Sequence, residues 1–157
     1  TRSAGGETRP MFIQLAIGTL LLVASVMVAG ISFWFFEWRL TVAAPWLTRS
    51  PHRAKLMLVL CATAIWVLLQ MTVAVWMWAL TFLVLEIFGT LEEAVYFALV
   101  AFTTLGFGDI LLPVEWRLLG GMAALNGLLN IGLMTAAMVE TLRQLRLQQL
   151  QNAKSET

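Results

Sequence analysis

The segment Thr103–Ile110, TTLGFGDI, carries the residues whose types and spacing could bind a ligand. Gly106 and Gly108 flank one aromatic residue, and two glycines so close together would weaken the interior of a helix or strand. The segment lies between apolar runs, where non-helical backbone is tolerated only if it is buried in protein or lines a water-filled path. If several copies face a common axis, their carbonyl oxygens and the Thr104 hydroxyl can replace the water around a cation.

The composition of the chain points to lipid rather than water as its solvent. Of 157 residues, 60% are hydrophobic and 12% are charged, which predicts an all-α membrane protein. The net charge of +1 predicts no nucleic-acid partner. Cys61 and His52 are each the single residue of their type, which excludes an intrachain disulfide and a Cys/His metal site. No catalytic set or phosphate-binding loop is present, so no enzyme chemistry is predicted.

Three apolar runs are long enough for transmembrane helices, which need about 20 residues each: Met11–Phe36, Leu56–Ile87 and Trp116–Val139. We expect a flexible tail over residues 1–10 and a cytoplasmic or interfacial linker over 37–55. We expect a cytoplasmic helix and tail over 140–157.

A fourth apolar piece, Leu91–Phe102, is too short to cross the membrane and precedes the glycine segment directly. Thr90 and Glu93 fit a capping box, which predicts that a helix begins here. The acidic residues of its first turn also suit the positive end of the helix dipole. We therefore expect a re-entrant helix followed by a loop.

The distribution of lysine and arginine predicts the orientation of the chain. The linker and the C-terminal segment are basic, whereas the connection between the last two spans is acidic apart from Arg117. The positive-inside rule then places the linker and the C-terminus in the cytoplasm. Three spans put the N-terminus on the other side of a cell membrane, and the small size of the chain suggests a bacterial inner membrane.

TTLGFGD resembles the signature of tetrameric potassium channels, T-V-G-Y-G-D. The resemblance covers roughly Leu56 to Ala137 and implies a pore domain over 56–139 in a small bacterial-type subunit with an extra N-terminal transmembrane helix. Its parts are an outer helix (56–87), a pore helix (91–102), a filter (103–109) and an inner helix (116–139). Because one chain holds one filter motif and a carbonyl ring needs four, a homotetramer in the lipid bilayer is expected.

The resemblance also implies roles for individual residues. Thr103 precedes the filter, and Asp109 braces its outer mouth through Tyr96, although Tyr96 is also explained as an interfacial aromatic. Potassium ions would be held by oxygen atoms of the first four residues of the ion-coordinating strand, which consists of Thr104, Leu105, Gly106, Phe107 and Gly108. Leu105 and Phe107 would pack against the re-entrant helices.

Two departures from the family pattern bear on selectivity and gating. Phe107 replaces the usual tyrosine and removes a hydroxyl, which leaves the degree of selectivity open. The first span carries no charge, so no voltage sensor of the usual kind is expected. That span would pack outside the pore helices or onto a neighbouring subunit.

The inner helix resembles that of the family, with Gly127 at the hinge position. From this position Leu128, Ile131 and Thr135 would line the pore. Asn126 and Asn130 share a face and either bond to a neighbouring helix or line the cavity. Gly120 and Gly121 are expected to permit close packing.

These observations predict a potassium-selective channel subunit that conducts passively. A weakly selective cation channel and a non-conducting membrane scaffold or regulatory subunit are the alternatives.

Overall fold

The computed structural model describes residues 8–47 and 52–155, and each regular element of this part of the chain is a helix. The elements are α1 (Thr8–Leu47), α2 (His52–Val84), α3 (Leu91–Phe102), a 3₁₀ helix (Val114–Trp116) and α4 (Arg117–Ser155). Within these described ranges, three segments are long and apolar enough to cross a membrane: Met11–Ala43, Met57–Val84 and Val114–Gln144. The chain is an all-α membrane protein, as its composition predicted.

The first helix is longer than the apolar run predicted. It begins at Thr8, inside the expected tail, and continues to Leu47, so much of the expected linker 37–55 is helical. Residues 37–44 contain neither glycine nor proline, and nothing interrupts the helix before Pro45, close to its end. Residues 1–7 and 48–51 lie outside the described part of the chain.

The last helix is also longer than predicted and runs without a break from Arg117 to Ser155. The inner helix expected over 116–139 and the segment expected from residue 140 onward are therefore one element. A sequence rich in Leu, Gln and Arg favours helix in water as well as in lipid, which explains the continuation.

Helix α3 has the bounds expected for the pore helix. The Thr90 Oγ1 accepts a hydrogen bond from the Glu93 N–H at 3.2 Å, which confirms Thr90 as the N-cap. Its 12 residues span about 18 Å at a rise of about 1.5 Å per residue, too short to cross a bilayer.

Helix α2 ends in a Schellman motif that redirects the chain towards α3. The Glu86 N–H donates to the Leu83 carbonyl and the Ile87 N–H to the Phe82 carbonyl, both at 3.0 Å. Glu86 takes the left-handed position of the motif with φ +54°. Ile87 packs against the apolar cluster that contains Phe82, which is the contact that usually accompanies such a turn.

The chain divides into two compact units, the first comprising Thr1–Val28 and Met71–Ile131. Its core is aromatic: the Phe82 ring lies 5.9 Å from Trp78, 6.0 Å from Phe88 and 5.4 Å from Phe97 between centroids. The Phe88 and Phe97 contacts with Phe82 are edge-to-face, a favoured geometry for aromatic pairs. This cluster fixes α3 against α2.

The second unit comprises Ala29–Gln70 and Gly132–Thr157. Trp66 of α2 stacks on Phe36 of α1 with ring centroids 5.0 Å apart. Its indole N–H donates to the Ser32 hydroxyl at 2.7 Å. These contacts join α1 and α2 within this unit.

Candidate functional site

The last turn of α3 is closed by the first residues of the predicted ion-coordinating strand. The Thr104 N–H donates to the Ala101 carbonyl at 2.9 Å, and the Leu105 N–H donates to the Val100 carbonyl at 3.0 Å. This is a second Schellman motif, with Thr104 at the position where glycine is usual. These bonds fix the start of the strand relative to α3.

Positive φ angles alternate along the strand. Thr104 has φ +58°, Gly106 +59° and Gly108 +77°, whereas Leu105 and Phe107 are not in the positive-φ region. A backbone that alternates between left-handed and right-handed regions can point successive carbonyl oxygens to one side, whereas they alternate in a regular strand. These φ angles are compatible with the predicted carbonyl-lined path, and the path itself stays a prediction.

Thr104 is strained at this position. A β-branched residue at positive φ is an outlier that costs of order 1–3 kcal/mol. Its hydroxyl donates to the Thr103 carbonyl at 2.7 Å, and the Thr103 hydroxyl donates to the Leu99 carbonyl at 2.8 Å. Glycine would relieve the strain but would remove the hydroxyl, so the choice of threonine favours a role for its oxygen.

The middle of the strand has little support from its own chain. Leu105 is 57% exposed and Phe107 66% exposed, so the expected packing of these side chains against α3 is not made within one chain. A groove of about 310 Å³ separates the strand residues Gly106 and Gly108 from Ala124 of α4. The supports lie at the two ends of the strand.

The outer support is a hydrogen bond from the Tyr96 hydroxyl of α3 to Asp109 Oδ2, at 2.5 Å. This contact holds the pKa of Asp109 below its ordinary value and raises the pKa of Tyr96. In both cases the hydrogen bond between the two side chains is the largest cause. The predicted pair is therefore formed, and its role as a brace of the filter stays a prediction.

Gly127 of α4 lies against the end of α3. A Cβ atom added at Gly127 would overlap the carbonyl oxygen and carbon of Phe102. Glycine is thus required for the close approach of the two backbones. The hinge role of Gly127 stays a prediction. The packing of Gly127 against Phe102 is a separate role.

Two further glycines of α4 were expected to permit close packing. The prediction is confirmed for Gly120, where a Cβ would overlap the side chain of Leu112. For Gly121 the prediction is wrong within this chain, because a Cβ there would meet no atom within 4 Å.

Asn126 and Asn130 bond to a neighbouring helix of their own chain and do not face an open cavity. Their relative exposures are 0% and 1%. The Ser25 hydroxyl of α1 donates to Asn126 Oδ1 at 2.6 Å, and Asn130 Nδ2 donates to the same oxygen at 2.9 Å. Of the two alternatives for this pair, the helix–helix contact is the one observed.

A family model described as an ion channel matches residues 56–144, more than half of the chain. The chain belongs to this ion channel family. No match was found among curated proteins, and none among solved structures. The protein is an ion channel subunit and a multi-pass membrane protein, and the family points to passive transport rather than catalysis.

Helix α1 of the ion channel lies entirely before the matched region, yet it contacts α4 at several points. Gln14 Oε1 accepts a hydrogen bond at 3.1 Å from the Leu119 N–H, in the first turn of α4, where N–H groups lack helical partners. Gly18 is buried next to Met122, whose side chain would clash with a Cβ there. Together with Ser25 opposite Asn126, these contacts show that the two helices run in the same direction within the first unit.

Sequence reasoning did not single out Gln14, Gly18 and Ser25. The sequence did contain a signal for them, because the three residues fall on one face of an otherwise apolar helix. Polar and small residues on one face are typical of helix contacts in membranes.

The channel leaves its predicted pore-lining positions mostly open. Leu128 is 60% exposed, Thr135 is also exposed, and Ile131 is half-buried. Their position in a pore stays a prediction.

Proposed function

We propose that the protein is a subunit of a homotetrameric, potassium-selective channel that conducts passively. The observation that carries the proposal is the alternation of positive φ at Thr104, Gly106 and Gly108, directly after α3. Oxygen atoms of Thr104, Leu105, Gly106 and Phe107 would replace the hydration shell of potassium ions, and Gly108 would complete the strand.

One strand can form only one side of an ion path. The proposal therefore requires several subunits arranged around a common axis. The exposed side chains of Leu105 and Phe107 support this arrangement, because a neighbouring subunit would cover them. Exposed apolar residues along α1 and α2 are suited to lipid.

We place the channel in a bacterial inner membrane with its C-terminus in the cytoplasm and its N-terminus outside. The support is the excess of basic residues in 37–55 and after residue 140, and of acidic residues between α2 and α4.

A weakly selective cation channel is the second candidate. It is favoured by Phe107, which has no hydroxyl to anchor the strand and is 66% exposed. In the snug-fit account of selectivity, a less firmly anchored strand would discriminate less well between potassium and sodium.

A reversal-potential measurement in planar bilayers, with potassium opposed to sodium, tests the proposal. The purified protein should reverse close to the potassium equilibrium potential and be blocked by barium. A reversal near zero with clear current would support the weakly selective channel. No current from well-formed tetramers would support the non-conducting scaffold or regulatory subunit.

A further inference from the structure

Three polar side chains form a buried layer inside the membrane-spanning part of the chain. Ser25 lies in the span of α1, and Asn126 and Asn130 lie in the span of α4. All three are at most 1% exposed. Polar groups at this depth are costly without partners, so their hydrogen bonds hold α1 and α4 together.

The layer bridges Gly127. Asn130 Nδ2 donates at 2.9 Å to the backbone carbonyl of Asn126 and lies 3.3 Å from the Ser25 hydroxyl. The Asn126 carbonyl is also the acceptor of the helical bond that crosses Gly127. Bending α4 at this glycine would separate Asn130 from both Asn126 and Ser25.

The layer is incompletely satisfied. Asn126 Nδ2 and Asn130 Oδ1 are buried and have no hydrogen-bond partner among the residues that the structure describes. A buried polar atom without a hydrogen bond reduces the stability that the rest of the network provides. The layer therefore holds α4 less firmly than a fully satisfied network would.

We propose that Ser25, Asn126 and Asn130 form a latch through which α1 restrains bending of α4 at Gly127. The latch uses a helix that lies entirely outside the matched ion channel region, and it is formed within one subunit. The latch rests on the hinge that the resemblance predicts at Gly127. Its effect on current rests in addition on the proposed function.

The matched pair of variants is Ser25→Ala and Ser32→Ala in the full-length chain, reconstituted in nanodiscs. Both remove one hydroxyl from α1, but Ser32 bonds to Trp66 of α2 and not to α4. Hydrogen exchange of the amides at residues 128–133 reports the bending of α4. On average, the loss of one interhelical hydrogen bond in a membrane changes an equilibrium constant about threefold.

We expect Ser25→Ala to speed this exchange about threefold and Ser32→Ala to leave it unchanged. Equal profiles for the two variants would overturn the latch. A lower unfolding temperature for Ser25→Ala without faster exchange in α4 would also overturn it. The layer would then stabilise the packing of α1 on α4 without restraining the bending of α4.

Single-channel recording separates the latch from the proposed function. Open probability should rise about threefold in Ser25→Ala and not in Ser32→Ala. Faster exchange with unchanged or lower open probability would contradict control of the ion path by the latch. If the wild type carries no current, the proposed function fails, while the exchange result still decides whether the latch restrains bending.

Discussion

The Cα atom of Gly127 lies against the carbonyl oxygen of Phe102, so the third turn of α4 is packed directly on the last residue of α3. The predicted ion-coordinating strand begins two residues after Phe102. The glycine at the predicted hinge is therefore also the place where α4 packs close to the start of this strand.

Gly127→Ala should lower the thermal midpoint of the purified oligomer. Alanine normally favours a helix over glycine by about 1 kcal/mol, but here its Cβ has no space beside Phe102. The clash involves backbone atoms and should cost about 1–3 kcal/mol, as overpacking does. Tryptophan fluorescence during heating measures the change.

Gly121→Ala is the matched control in the same helix, because nothing lies within 4 Å of its added Cβ. It should leave the midpoint unchanged or raise it. If both variants have the wild-type midpoint and Gly127→Ala alters only gating, Gly127 acts as a hinge and its packing role is wrong.

Tyr96→Phe should make the channel more sensitive to acid. Because the lowered pKa of Asp109 comes first from the Tyr96 hydroxyl, the stabilisation by this pair is present above about pH 4 and is lost as pH falls through the lowered pKa. Without the hydroxyl, Asp109 takes up its proton at higher pH. The midpoint for acid loss of current should therefore move upward.

On the alkaline side the sign is opposite. The raised pKa of Tyr96 means that the pair is intact below about pH 10 and weakens as pH rises through the raised pKa. Tyr96→Phe should abolish that alkaline loss. Trp76→Phe, at an exposed aromatic of α2, is the control, and identical acid midpoints for the two variants would contradict the brace.

Gly106→Ala should abolish selective current. Its φ of +59° costs an L-residue about 1–2 kcal/mol, although there is open space for the Cβ. The effect therefore comes from the backbone and not from a clash. Gly89→Ala also meets open space but has an ordinary φ, and it should conduct as the wild type does. Unchanged selectivity in Gly106→Ala would mean that this strand does not line the path.

Potassium should stabilise the oligomer against heat more than sodium does. A ligand that binds only the folded state at 100 times its dissociation constant adds about 2.7 kcal/mol. Thr104→Ala, which removes the hydroxyl, should reduce the difference between the two ions. Equal midpoints in potassium and sodium for the wild-type protein would argue against a selective site.

Local signals were sufficient to predict α3. Thr90 and the acidic first turn mark its beginning, and the glycine segment marks its end, because capping and backbone freedom depend on neighbouring residues only. The Tyr96–Asp109 hydrogen bond was also predictable, since the resemblance specified both positions.

The partners of α1 were not predictable from local signals. Gln14 and Ser25 show that one face of α1 is polar, but many helices could satisfy that face. The packing of Gly127 on Phe102 depends equally on the tertiary arrangement, because a glycine in a helix has the same sequence signature whether it bends or packs. Helices α1 and α4 are longer than the apolar runs from which they were predicted. Hydropathy marks where a helix leaves the lipid, and the hydrogen-bonded helix continues beyond that point.

The contacts between α1 and α4 can form only late in the synthesis of a subunit. Gln14 and Leu119 are 105 residues apart in the chain, as are Ser25 and Asn130. At about 5–20 residues per second, the ribosome reaches α4 roughly 5–20 seconds after α1 is made. Until α4 has been made, the polar face of α1 lacks these partners, so the contacts of the first helix are completed only by the last one.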